Sequence, residues 1–83
     1  MPENIYTLSH LKPGESGKIE EISDKLPFKR RLMDIGFIKG FNIECLQKSM
    51  LGDPVCYLIN NTVVALRKKD SSHISVSRIW MEE

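Results

Sequence analysis

Downstream of Gly40, apolar and polar positions alternate with a period of two, the spacing of strands that bury one face. Ile43 and Cys45 flank Glu44, and Val55, Tyr57 and Ile59 interleave with Cys56 and Leu58. The pattern turns Ile43, Cys45, Val55, Tyr57 and Ile59 inward and Cys56 outward. Asn60 and Asn61 predict a two-residue hairpin turn, because asparagine tolerates positive φ at both central positions. A tight turn there sets Tyr57 opposite Val64 and Val55 opposite Leu66, one continuous apolar face. Arg67, Ala65 and Cys56 then share the other face. "HISV" supplies a last strand through Ile74 and Val76.

Upstream, "GKIEEI" predicts a strand that sends Ile19 and Ile22 into the core. The period lengthens in "SDKLPFKRRLMDIG", where Phe28, Leu32 and Ile35 fall at i, i+4 and i+7 and form one stripe of a helix. Ser23 or Asp24 is the expected N-cap, Pro27 fits the first turn, and Gly36 stands where a left-handed C-terminal cap is wanted. Thr7 offers an N-cap for a very short helical turn over "TLSHL", which Pro13 and Gly14 then break. About five short strands and one helix are too few for a flat sheet covered on both faces. A barrel curled until its edges nearly meet removes the exposed edges. The expectation is a mainly β fold, a small SH3-like β-barrel of about five strands with one short inserted helix and a short N-terminal helical turn. At 83 residues the chain is expected to form one domain, 1–83.

Composition narrows the function classes. An apolar fraction of 41% and mixed charge fit a globular domain and argue against disorder. A net charge of +1 is a poor match to the one-sided charge of many nucleic-acid binders. "MPENIYTLSH" lacks the apolar core of a signal peptide, and apolar runs such as 55–59 fall far short of a membrane span. Two cysteines are too few for a secreted disulfide scaffold. The chain is expected to be cytoplasmic, without direct membrane insertion.

No catalytic order of Ser, His and Asp or Glu is present, and the expectation is a non-enzymatic module with no catalytic residues. His10, Cys45, Cys56 and His73 have metal-ligand chemistry but match no ligand spacing, and the strand facing separates the two thiols. No metal-ligating residue is assigned. "FKRR" and "LRKK" are basic clusters, with solvated surface favoured over a binding patch. In "LGDPV", Asp53 before Pro54 is held away from helical geometry and Gly52 permits a bend, leaving Met50 and Leu51 exposed at a loop tip. Trp80, in "SRIWMEE", either closes the barrel or presents an aromatic anchor to another chain.

The order of these features resembles the FeoA family, small cytoplasmic proteins of bacterial ferrous iron uptake. The resemblance runs from about Leu8 to Val76 and rests on the helix followed by Gly36 and Gly40, on Gly52-Asp53-Pro54, and on Ala65-Leu66-Arg67. Lys39 departs from the family pattern, which has a proline before the second glycine, and a looser turn is expected there. The resemblance implies an SH3-like barrel and an accessory role beside the membrane transporter FeoB, docking on its cytoplasmic part. The expected contact residues are Arg30, Arg31, Met33, Met50, Leu51 and Trp80. No cofactor is required, and weak association with Fe2+ stays open, as does a homo-oligomer paired by an edge strand; nucleic acid is not an expected partner. The rival readings are a transition-metal sensor or carrier and, behind it, a nucleic-acid-binding small barrel.

Overall fold

The computed structural model describes residues 5–78. Six strands form one antiparallel sheet: β1 (Ile5–Thr7), β2 (Ser16–Ile22), β3 (Asn42–Lys48), β4 (Val55–Ile59), β5 (Thr62–Leu66) and β6 (Ile74–Arg78). Their order is β1-β6-β2-β3-β4-β5. A 3-10 turn (Leu8–His10) follows β1, helix α1 (Lys29–Ile35) lies between β2 and β3, and a single turn α2 (Lys68–Ser71) follows β5. The 3-10 turn packs against α2, so the two ends of the sheet meet through the helical turns that follow its edge strands.

The alternation of the sequence is the alternation of the sheet. Tyr57 pairs with Val64 and Val55 with Leu66, and Ile43, Cys45, Val55, Tyr57 and Ile59 are all buried. Asn60 and Asn61 have φ of 52° and 60°, which makes the tight turn that fixes this register. Cys56 is only partly buried and faces Ala65. Leu46 is an extra residue in β3, between Cys45 opposite Tyr57 and Gln47 opposite Cys56. Such a bulge bends a strand, here just before the loop that carries Met50 and Leu51.

Three expectations are corrected. The sheet has six strands, since β1 pairs with β6 at Ile5–Ser77, Tyr6–Val76 and Thr7–Ser75. Helix α1 starts at Lys29, with Phe28 at the N-cap position and no side-chain cap. Neither Ser23 nor Asp24 therefore caps the helix, Ser23 Oγ accepting the Lys25 N–H (3.1 Å) instead, and Pro27 precedes the helix. The physical reason is Leu26, which is buried and precedes a proline, a position biased away from helical geometry. The chain from Ser23 runs through turns instead, with the Leu26 N–H on the Ser23 carbonyl (3.2 Å) and the Lys29 N–H on the Leu26 carbonyl (3.1 Å). Thr7 stands at the N-cap position of the 3-10 turn without capping it; its hydroxyl bonds to Ser9 Oγ (2.8 Å) and His10 Nδ1 (2.9 Å).

The other end of α1 closes as its sequence implies. The Phe37 N–H reaches the Leu32 carbonyl (3.0 Å) and the Gly36 N–H the Met33 carbonyl (3.2 Å), the paired bonds of a Schellman cap. Leu32 and Phe37 are both buried, supplying the apolar contact that accompanies this cap. The turn at Ile38–Phe41 forms with Lys39 in place of proline. Gly40 supplies the required positive φ (97°), and the Phe41 N–H bonds the Ile38 carbonyl at 3.0 Å.

Candidate functional site

Helix α1 and strand β5 are joined at one end and parted at the other. At the joined end, Asn60 Nδ2 donates to the Ile35 carbonyl (3.1 Å), which ties the hairpin tip to the helix C-terminus. A Cβ at Gly36 would lie 2.9 Å from Asn60 Cβ, so only glycine admits this approach. At the parted end, Pro27, Phe28, Arg30, Arg31 and Asp34 face Ala65, Leu66, Arg67 and Asp70 across a groove of about 730 Å³.

This groove joins the two basic clusters, which lie far apart in sequence. Lys29 is engaged elsewhere, paired with Asp24; that hydrogen bond and charge hold the Asp24 carboxyl below the usual carboxylate range. Arg30, Arg31 and Arg67 remain in the groove, three guanidiniums against the carboxylates of Asp34 and Asp70. None of the three guanidiniums makes an ion pair or hydrogen bond among the described residues. Phe28 and Leu66 supply apolar lining at its base.

The loop from Ser49 to Asp53 is anchored beside the groove. Asp53 Oδ1 accepts the Lys68 N–H at 2.7 Å, satisfying the first amide of α2, next to Arg67. The Ser49 N–H bonds the Pro54 carbonyl (3.1 Å) and the Gly52 N–H the Ser49 carbonyl (2.9 Å). The Asp53–Pro54 peptide is cis. Met50 and Leu51 project from this base, 103% and 93% exposed.

Of the expected contact residues, the structure brings Arg30 and Arg31 into one groove and sets Met50 and Leu51 at the loop tip. Met33 lies apart from that groove, in a shallow apolar depression with Phe37, Ile38 and Ile22. Trp80 lies outside the described residues. Sequence reasoning left out Arg67, Asp34 and Asp70; the "LRKK" cluster was the available signal for Arg67.

Behind the groove, Tyr57 is buried, beside Ser71 of α2, whose hydroxyl donates to the Lys68 carbonyl (3.3 Å). Burial pushes the phenol pKa up, and the polar Ser71 side chain nearby offsets part of that. Burial likewise raises the Cys45 thiol. Both cysteines are free. Among the described residues, no three His, Cys, Asp or Glu side chains gather as a metal site, and no helix is long and apolar enough to cross a membrane.

Residues 6–78 match the FeoA domain family. The chain belongs to the FeoA family. The Fe2+ transport protein A/Fe2+ transporter FeoB fusion protein of Porphyromonas gingivalis is 35% identical over 72 residues, covering 87% of this chain and 8% of that protein. The chain thus spans less than a tenth of that relative's length. The solution structure of FeoA from Chlorobium tepidum superposes with a TM-score of 0.84 at 28% identity, covering 93% of this chain and 73% of that one. Stenotrophomonas maltophilia FeoA, solved with zinc and described as a prokaryotic SH3 domain protein, gives 0.75 at 28% identity over 86% of this chain and 88% of that one. The family is one of Fe2+ transport, and the six-stranded sheet described above is its SH3-like fold.

Proposed function

We propose that this FeoA-family domain is a non-enzymatic, cytoplasmic accessory protein of Fe2+ uptake that docks on the cytoplasmic part of a FeoB-type transporter. The observation that carries this is the Porphyromonas gingivalis fusion, in which a domain 35% identical to this one is named together with FeoB in a single polypeptide. A covalently joined partner works at high effective concentration, a proximity that serves two parts which touch through a binding surface. The surface offered is the arginine groove with the neighbouring loop tip. Met50 and Leu51 give the apolar contact and the guanidiniums give charge recognition, and methionine and arginine are both enriched at protein interfaces.

The test is a titration of the transporter's isolated cytoplasmic domain, with and without nucleotide, against the intact chain. Saturable binding is expected, weakened when Met50 and Leu51 are both changed to Ser, with the melting temperature unchanged because neither side chain is buried. Absence of binding would remove the docking reading. Metal retained through desalting would point to a sensor or carrier, and RNA binding with a steep salt dependence to the nucleic-acid reading.

A further inference from the structure

We infer that the groove takes an extended acidic segment of a partner protein, laid along the free edge of β5 with its carboxylates on Arg31 and Arg67. This deepens the docking proposal and rests on it.

The first observation is the edge. β5 ends the sheet order, with β4 as its strand partner. In a two-residue hairpin the residues flanking the turn form a hydrogen-bonded pair, here Ile59 with Thr62. Alternation then directs the main-chain groups of Thr62, Val64 and Leu66 toward β4 and those of Val63 and Ala65 outward. No backbone bond of the turns and loops engages Val63 or Ala65 among the described residues. Natural edge strands are blunted by charge, proline, bulges or a covering element. The run Thr62–Leu66 has no charge or proline, its register with β4 is unbroken, and Val63 is 62% exposed. Such an edge is built to receive a strand.

The second observation is charge. Three guanidiniums without partners among the described residues line the groove at the Ala65–Arg67 end of this edge, and guanidinium is the group that meets carboxylate in a two-pronged geometry. Asp34 and Asp70 in the same lining oppose a phosphate chain, whose charges lie at every step. A peptide can place its carboxylates on the arginines and its amides or a basic residue beside the aspartates. A second copy of this chain fits less well, since Thr62–Lys69 contains no acidic residue and a β5–β5 pair would leave the guanidiniums unanswered.

The test uses the full chain, labelled with nitrogen-15, and a short synthetic peptide alternating Glu and Val. Amide shifts are expected at Ala65, Arg67 and Arg31, with affinity falling as salt rises. The Gln-Val counterpart, and the Glu-Val peptide on the Arg31→Glu/Arg67→Glu chain, should bind at least about tenfold more weakly. The spectrum of that variant should stay dispersed, because both side chains are exposed. Equal binding of the Glu and Gln peptides, no binding, shifts confined to Met50 and Leu51, or equal competition by inorganic phosphate would each overturn the inference. A dimer that dissociates on Arg67→Glu would also overturn it, by giving the edge to a second copy. The transporter's cytoplasmic domain separates the two readings. If it binds parent and reversed chains alike, docking stands and the groove is wrong. If it binds neither while the Glu-Val peptide binds the parent, the groove stands and docking on this transporter is wrong.

Discussion

The same two elements, α1 and the β4–β5 hairpin, meet in opposite ways at their two ends. At the hairpin tip, Asn60 bonds the last helical carbonyl and presses on Gly36, and every polar group named there has a partner. At the far end the elements part, and Arg30, Arg31 and Arg67 line the gap without ion-pair partners among the described residues. Satisfied backbone and a glycine with no room for a Cβ belong to folding. Unanswered charge and an open strand edge belong to an encounter with another molecule. The contrast shows how so small a domain offers a binding surface: one end of a helix is fixed so that the other can stand away from the sheet.

Substitutions that strike the joined end should cost stability and leave the groove chemistry intact. The largest loss is expected for Leu32→Ala, where a buried side chain leaves a cavity worth about 2–4 kcal/mol, read from urea unfolding. If Leu32→Ala melts like the parent while Arg31→Ala collapses, the facing of α1 is wrong. Gly36→Ala comes next. Its φ of 136° and the 2.9 Å approach of Asn60 together cost about 1–3 kcal/mol. Asn60→Gly keeps the positive φ of the turn but deletes the bond to Ile35, for about 1 kcal/mol. An undiminished midpoint in Asn60→Gly would mean that the hairpin tip does not hold the helix.

A smaller effect comes from behind the groove. The raised pKa values of Tyr57 and Cys45 mean that the folded chain keeps protons which the unfolded chain releases first as pH rises. Stability should therefore hold at neutral pH and fall as pH climbs past roughly 8.5–10, the unfolded thiol and phenol range. Tyr57→Phe should flatten part of that fall, and a parent profile that stays level would contradict the burial of both groups. In the native chain a thiol reagent should label Cys56 quickly and Cys45 only on unfolding. Equal labelling of the two would overturn the strand facing.

The hairpin was legible in the sequence because its information is local. Two asparagines set the turn, the turn sets the register, and the register decides which side chain is buried. The cap at Gly36 was legible for the same reason. The start of α1 was not, because Phe28, Leu32 and Ile35 keep a helical period across a segment that Leu26 and Pro27 hold in turns; the stripe is real, and its first member packs from outside the helix. Strand β1 escaped because three residues carry too short an alternation, and its partner β6 lies at the other end of the chain. For the site, both basic clusters were visible, but their convergence depends on α1 lying along β5, which no local pattern encodes. Arg67 joins Arg30 and Arg31 only in three dimensions.

The most direct test of this division sets binding and stability side by side in two single variants. The transporter's cytoplasmic domain is titrated against the parent, Arg31→Glu and Asn60→Gly chains, and each chain is melted under the same conditions. Arg31→Glu should lose about tenfold or more in affinity with its melting temperature unchanged, and Asn60→Gly should melt earlier while binding like the parent below its melt. If Arg31→Glu destabilises the fold, or if Asn60→Gly is the variant that loses binding, the assignment of the two ends is contradicted.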